Sequence, residues 1–440
     1  MAIFDSIISA ALAKSVKLPG FTYEATLMLG QYQIKAMRVV ALTDRQDYVG
    51  SMFEEILCTI AIQPQEYSRV VLNAHENMYM SLTLSPFGGG RRVTKRYRAV
   101  VMGISDPTIE ANTQHVTDLN EAGKSSISVI TFQLLDPAAY NLRLRKVGDT
   151  LSNITAIDAL KYFLAKNTLS DSMGQADSVG MINVAPGWLP EKRSSIVIDD
   201  GTPLLSLPDW LQDKYGVYNQ GLGVFLKDRF WYVFAPYSLA QQDQDVPRLV
   251  VINAPPSKYR NLEKTFSIVG KTVTVIATGE AKHERRSDRD ALNFGTGYIY
   301  ADANKLLDGM TDTTKSPVTT PEKYMVEYRS SRYRNPDDNF HIPHEKFVSN
   351  PAMYASRLAA AGGDIVTIEW ENGYTEALKP GMPVTFISPL NDNIRKLTGT
   401  LLGVEAHSSV PLGGMVETRY NTNVKLTLFL KSAESISVKK

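Results

Sequence analysis

The side chains best suited to metal binding in this 440-residue chain are a pair of histidines near its C-terminal third. His341 and His344 are three residues apart, and Pro343 lies between them. Two histidines that share one zinc ion on a helix are four residues apart, and proline opposes a helix at this point. We therefore interpret this segment as an exposed loop and predict no metal ligands.

Two carboxylates could support acid–base chemistry. Glu369 and Glu371 flank Trp370, and in a strand both would lie on one face about 7 Å apart. Glycosidase carboxylates can have such a separation, but they face each other across a cleft from different elements. A solvated strand face is the preferred interpretation, and a glycan hydrolase is kept as a minor alternative.

Two glycine-containing stretches resemble nucleotide-binding motifs only in part. Residues 122–126 read AGKSS, but the first glycine of a phosphate-binding loop would fall at Asp118, and a strand follows where a helix is needed. Residues 295–300 read GTGYIY and lack the third glycine of the dinucleotide fingerprint. GxSxG, HExxH and CxxC are also absent from the sequence. We predict no catalytic residues, no cofactor and no enzymatic activity.

A basic run could contact phosphates: Arg91, Arg92, Lys95, Arg96 and Arg98. Alternation along a strand would divide it between two faces, and the net charge of the chain is only +1. The sequence therefore predicts no sequence-specific binding of nucleic acid.

Composition indicates a globular protein with several domains. Hydrophobic residues make up 43% and charged residues 21% of the chain, and Cys58 is the sole cysteine, which excludes an intrachain disulfide. No stretch reaches the length of a membrane span, and the first 20 residues lack the basic start of a signal peptide. We expect a protein that is made in a reducing, cytoplasm-like compartment.

Periodicity divides the chain into β-rich ends and a mixed middle. Strand-like runs follow one another from Phe21 to Leu135, including one predicted strand at residues 34–42. A helix is predicted after Thr155, with Asp158 completing a capping box, and a second after Ser206. Strands resume at Pro247.

The predicted fold class is α+β, predominantly β, with two β-barrel domains and an α/β insertion. The predicted division of the chain is an N-terminal amphipathic helix (1–20), a first β-domain (21–145), an α/β domain (146–240), the start of a second β-domain (241–286), an insertion (287–347), and a helix with the remainder of the second β-domain (348–440).

Three stretches together resemble the baseplate hub proteins of tailed phages, a family shared with related contractile injection machines. They are residues 130–165 (ITFQLLDPAAYNLRLRKVGDTLSNITAIDALKYFLA), residues 204–237 (LLSLPDWLQDKYGVYNQGLGVFLKDRFWYVFAPY), and residues 378–388 with 398–409. The resemblance extends over about Phe21 to Leu430, and its order is that of the family: a β-domain, an α/β insertion, and a second β-domain.

The resemblance implies that the β-domains are tail-tube-like barrels, and that three subunits form a pseudo-sixfold ring with a channel for DNA. Such a ring adapts the sixfold tail tube to a threefold central spike. The implied partners are further copies of the chain, the spike, tube or distal-tail proteins, and other baseplate proteins. The implied location is the virion tail, after assembly in the host cytoplasm. The alternative is another structural tail component, such as a distal-tail, tube-initiator or fibre-base protein.

Under this hypothesis the apolar face of the N-terminal helix could dock on a neighbouring tail protein. That face contains Ile3, Phe4, Ile7 and Ile8. Packing of the same residues on their own domain is the alternative.

Overall fold

The computed structural model of the chain describes residues 2–14, 21–72, 78–86, 92–102, 128–168, 180–185, 192–242, 245–255, 257–259, 262, 265–278, 281–284, 356, 359–360, 363–390, 393–409 and 420–432. Strands predominate in these residues, which confirms the predicted α+β, predominantly β fold class. The helices are α1 Ala2–Lys14, α2 Pro64–Leu72, α3 Pro137–Arg143, α4 Ala156–Thr168 and α5 Leu207–Tyr215. Of the described helices, none is long and apolar enough to cross a membrane.

The first β-domain is an antiparallel sheet in the order β3-β4-β7-β6-β5-β1-β2. Its strands are β1 Phe21–Leu29, β2 Tyr32–Lys35, β3 Arg38–Asp47, β4 Glu55–Ile62, β5 Met78–Pro86, β6 Val93–Val101 and β7 Ser128–Leu135. Alternate side chains point inward and form one apolar core, with Leu27, Ile60 and Phe132 fully buried. The helix α2, which the sequence analysis missed, adds Tyr67 and Val70 to this core.

The predicted single strand at residues 34–42 is wrong, because the chain forms β2 and β3 with a break between them. The N–H of Ala36 donates to the carbonyl of Ala25 at 2.9 Å, and the N–H of Met37 donates to the carbonyl of Ala61 at 2.8 Å. Adjacent residues thus bond to β1 and to β4. The break thus connects strands that lie near opposite ends of the sheet order.

In the α/β domain, α3, α4 and α5 pack against two small sheets. The first sheet pairs β8 Lys146–Ile154 with β10 Arg193–Pro203. The second contains, in spatial order, β11 Gly223–Lys227, β12 Phe230–Phe234 and β9 Met181–Val184. The predicted cap at Thr155 is confirmed, since its Oγ1 accepts from the N–H of Asp158 at 3.1 Å and donates to the Asp158 carboxylate at 2.7 Å. Ser206 does not cap α5 with its side chain, because its hydroxyl donates to the carbonyl of Pro203.

The second β-domain follows the order β14-β15-β13-β18-β19-β20-β17-β16. Its strands are β13 Arg248–Asn253, β14 Phe266–Val269, β15 Thr272–Ala277, β16 Ala281–Glu284, β17 Asp364–Glu371, β18 Pro383–Leu390, β19 Asn393–Ser409 and β20 Asn421–Ser432. β13 is parallel to both β15 and β18, and the remaining pairs are antiparallel. β15 also contacts β17, so this half of the sheet closes around its own core, with Trp370 and Leu426 fully buried.

The two β-domains are joined by one long strand. β19 is 17 residues long; it pairs with β18 in its first half, and in its second half residues Gly403–Ser409 pair with Ala41–Asp47 of β3. A bulge between Leu401 and Gly403 shifts the register with β20 between the two halves. A continuous ladder of backbone hydrogen bonds therefore connects one β-domain to the other.

Candidate functional site

Charged side chains are concentrated where the two β-domains and the α/β domain meet. Lys227, the last residue of β11, is 3% exposed. Its ammonium donates to Gln46 Oε1 at 3.1 Å, to the carbonyl of Leu378 at 2.9 Å and to the carbonyl of Thr375 at 3.3 Å. Gln46 belongs to the first β-domain and the two carbonyls to the second. One buried cation thus bonds directly to both β-domains.

A second lysine makes an equivalent connection. Lys95 projects from β6, and its ammonium lies 2.9 Å from Asp228 Oδ1 and 3.2 Å from Glu376 Oε1. Asp228 belongs to the α/β domain, and Glu376 lies in a 3₁₀ turn of the second β-domain, Thr375–Ala377. We call Lys227, Lys95 and the groups that they contact the charged junction.

Local structure positions these groups. Alternation along β6 turns Lys95 and Tyr97 toward the interior, whereas Arg96 lies over the ring of Tyr79 on the outer face. Lys95 therefore lies on the opposite face of β6 from Arg96 and Arg98, as predicted for the basic run, of which Arg91 lies outside the described residues. Asp228 occupies the tight turn between β11 and β12 with a φ of 51°. Positive φ is typical of such two-residue hairpin turns.

Two further carboxylates, Asp44 and Glu54, face the junction. Burial, together with the charge of Asp44, raises the pKa of Glu54 to about 8, against the opposing effects of Lys95 and Lys227. Burial raises the pKa of Asp44 to about 6, partly offset by Lys227. Glu54 is therefore largely protonated at neutral pH and can share its environment with the charged Asp44.

The pKa values of the two lysines shift in opposite directions. Burial lowers the pKa of Lys227, although Asp44 opposes that shift. Burial would also lower the pKa of Lys95, but at the high pH where this lysine titrates Glu54 and Glu376 are both ionised, and their charges outweigh burial and raise the pKa. Lys95 is therefore the firmly charged cation of the junction.

A cavity of about 70 Å³ adjoins these groups, and the side chains of Asp44, Glu54, Lys95 and Glu376 line it. The Oδ1 atom of Asp44 is buried and has no hydrogen-bond partner. The cavity has room for about two water molecules, and ligand sites usually exceed about 300 Å³. Its size and its internal ion pairs fit a structural connection between domains and leave little room for a substrate.

The structure places part of the predicted docking face inside the chain. Phe4 and Ile8 are buried against the outer side of the second β-domain, in a cluster with Ile252 and Ile276. Ile7 is half-buried in the same cluster, and the side chain of Ile3 lies outside the described residues. Asp5 anchors the helix to the loop after β13 through the Lys258 ammonium at 2.7 Å and the Tyr259 hydroxyl at 2.8 Å. These contacts favour the alternative of packing on the protein's own domain.

Glu369 and Glu371 are both exposed on β17, and Trp370 between them is fully buried. This is the solvated strand face that the sequence analysis preferred. The two histidines at 341 and 344, the AGKSS and GTGYIY stretches and the insertion at 287–347 lie outside the described residues. Within the described part of the chain, no group of three or more His, Cys, Asp or Glu side chains could hold a metal ion.

Comparison of the structure with solved structures finds proteins of phage tails and secretion machines. The chain is similar to a 43 kDa tail protein of prophage MuSo2 from Shewanella oneidensis, with 10% identity, 94% of this chain and 100% of that chain covered, and a TM-score of 0.45. It is similar to the E. coli c3393 protein, a component of the type VI secretion system described as structurally similar to the T4 bacteriophage tail proteins gp27 and gp5 (9% identity, 93% and 77% covered, TM-score 0.42).

A third similar structure is a chain of the Francisella PdpA-VgrG complex, with 10% identity, 99% of this chain and 62% of that chain covered, and a TM-score of 0.39. No protein-family model matches the sequence, and no curated protein matches it significantly. Components of phage tails and of a type VI secretion system are thus among the solved structures to which this chain is similar.

Proposed function

We propose that this protein is the structural hub of a phage baseplate. Three copies form a ring that connects the sixfold tail tube to a threefold central spike and leaves a channel for DNA. Its partners are then further copies of the chain, the spike protein, tube or distal-tail proteins and other baseplate proteins. The protein belongs to the virion tail, is assembled in the host cytoplasm, and acts by assembly rather than by catalysis.

The observation that carries this proposal is the joining of the two β-domains by the pairing of β19 with β3. Each chain contributes two barrels in one fixed relation, so three chains would present six barrels around an axis. A ring of three subunits with two similar domains each can match both threefold and sixfold neighbours. The resemblance of residues 130–165, 204–237 and 378–409 to hub proteins supports the same proposal.

The charged junction supports a role in holding the domains in a constant relative position. Lys227 and Lys95 connect segments of all three domains through hydrogen bonds and ion pairs. Such a junction resists sliding between domains because each ammonium must keep several partners at once. An adaptor between two rings needs its barrels held at constant spacing, and this arrangement provides it.

The proposal is tested by the mass and shape of the purified full-length chain. Light scattering after size exclusion should give about 146 kDa for three chains of 48.8 kDa, and negative-stain images of the same peak should show a ring with a central hole. If the free chain is monomeric, the same measurement is repeated after mixing with candidate spike proteins. A six-membered ring, or a monomer in both experiments, would contradict the hub proposal.

A further inference from the structure

A second, larger cavity lies between the α/β domain and the second β-domain. Its volume is about 320 Å³, at the lower end of the range for small-ligand sites. One wall is formed by β9 and β12, and the other by the turn Lys379–Pro383 together with Val246 and Pro247. We call this cavity the interdomain cleft.

The three-stranded sheet presents two different faces, and only one of them reaches the cleft. Trp231 and Val233 point into the core of the α/β domain. Tyr232 and Phe234 point to the opposite side and pack against the second β-domain. Asn183 is the register neighbour of Tyr232 on the parallel strand, so it lies on the cleft face as well.

The cleft contains polar side chains that form no hydrogen bond within the described part of the protein. Among the described residues, the side chains of Asn183, Tyr232 and Gln241 have no hydrogen-bond partner, and all three line the cleft. The remaining wall is apolar and rich in proline. A few unused polar groups on a mostly apolar wall are typical of a binding site.

The strand β9 borders this cleft with a free edge. It pairs with β12 on one side, and no described strand pairs with it on the other. About half of its backbone N–H and C=O groups therefore point away from the sheet. Free edges of this kind accept an added strand from another chain, which supplies backbone hydrogen bonds while side-chain pockets select the sequence.

The charge of the cleft indicates what the added strand would carry. Lys379 is the one charged side chain among the described residues that line it, and this exposed lysine has no ion pair within that part of the chain. No carboxylate of the described residues lines the cleft to neutralise it. A complementary segment would therefore carry a carboxylate beside an apolar side chain.

We propose that the interdomain cleft and the free edge of β9 bind an extended peptide segment of a partner protein. The segment adds a strand beside β9, inserts an apolar side chain between Tyr232 and the proline-rich turn, and sets an Asp or Glu carboxylate on the Lys379 ammonium. This inference is independent of the ring proposal, because a single subunit contains the complete cleft.

The test is selection of peptides from a yeast-displayed random decapeptide library on the full-length chain. Enriched peptides are synthesised with a fluorescein label, and their Kd is measured by anisotropy. We expect them to combine apolar residues at alternate positions with an Asp or Glu. The substitution Lys379→Glu should weaken their binding roughly tenfold, because it replaces an attraction with a repulsion.

Two further variants make the result specific to the cleft. Asn183→Trp places a large side chain on an exposed strand position that faces the cleft, and it should abolish binding while leaving the melting temperature unchanged. Lys35→Glu makes the same charge change at an exposed position of β2 in the first β-domain, and it should leave Kd unchanged. The proposal is overturned if no peptide is enriched over cells without the library. It is equally overturned if the enriched peptides bind the Lys379→Glu and Asn183→Trp variants as tightly as the parent.

Discussion

Replacing Lys227 by Met tests whether the charged junction holds the domains together. Methionine keeps most of the length and apolar surface of lysine but removes the ammonium. The carbonyl oxygens of Thr375 and Leu378 and the Oε1 of Gln46 then lose a donor in a buried place. In addition, the negative charge of Asp44 loses its nearest buried compensation.

The magnitude follows from these contacts. A hydrogen bond that involves a charged group contributes about 1.5–3 kcal/mol, and removing one partner of a buried charge network costs about 3–5 kcal/mol. The three bonds of the Lys227 ammonium share one desolvation cost, so their values do not simply add. Methionine recovers part of the loss through its buried apolar surface. We expect the variant to lose roughly 3 kcal/mol of unfolding free energy.

Urea denaturation at neutral pH measures this loss, with circular dichroism for the whole chain and tryptophan fluorescence for the cores around Trp231 and Trp370. If the junction couples the domains, the two signals should coincide in the parent and separate in the variant. Lys271→Met is the matched control, because Lys271 pairs only with the highly exposed Asp245 and should contribute little.

A double-mutant cycle gives the second criterion. Asp44→Asn should lower the free energy of unfolding less in the Lys227→Met background than in the parent, because in that background the Asp44 carboxylate has already lost the charge of Lys227. The reasoning is refuted if Lys227→Met behaves like Lys271→Met, or if the cycle shows no coupling between Asp44 and Lys227.

Three more predictions concern pH, a close backbone contact and the N-terminal helix. Unfolding free energy should fall as the pH rises from about 4.5 to about 8, because over this range the carboxyl of Glu54 ionises in the unfolded state, while its raised pKa keeps it protonated in the folded state. The stabilisation is complete below 4.5 and is lost once the pH passes about 8. Urea midpoints of the Glu54→Gln variant at several pH values should lack most of that slope, and an unchanged slope would contradict the assignment. Gly399→Ala should prevent normal pairing of β19 with β20, because a Cβ at this position would clash with the backbone carbonyl oxygen of Phe429. We expect loss of soluble protein or a sharply lower melting temperature. A normal melting temperature would disprove this prediction. Ile8→Ala should cost about 2–5 kcal/mol in urea denaturation if α1 is packed on its own domain, and no cost would favour docking on a neighbour.

Local signals predicted local structure well. The strand-like runs that begin at Phe21 predict a strand there, and β1 spans Phe21–Leu29, since an alternating pattern reports a half-buried strand directly. The cap at Thr155 is also predictable from the sequence, because Asp158, with which it forms both hydrogen bonds, is only three residues away. The break at residues 36–37 is not predictable from the sequence, because it depends on where the carbonyls of Ala25 and Ala61 lie in the folded chain.

The charged junction could not be located from the sequence for the same reason. Lys95 and Glu376 are separated by 281 residues, and nothing in either segment indicates the other. One signal was available: Lys227 ends a strand in which every residue is buried, and a lysine in such an apolar hairpin needs acceptors from elsewhere. The length of β19, 17 residues, was a second signal, since a strand this long can serve two domains.

The composition of the junction has a physical consequence for an adaptor. An apolar junction of the same size would be no less stable, since buried ion pairs seldom exceed hydrophobic packing in net free energy. Apolar contacts, however, tolerate sliding and repacking with small losses. The Lys227 ammonium has three acceptors that come from β3 and from both ends of one turn, and a small displacement of any domain breaks at least one bond. Together with the ladder between β19 and β3, this geometry fixes the relative position of the two β-domains, which is the property that the proposed hub would require.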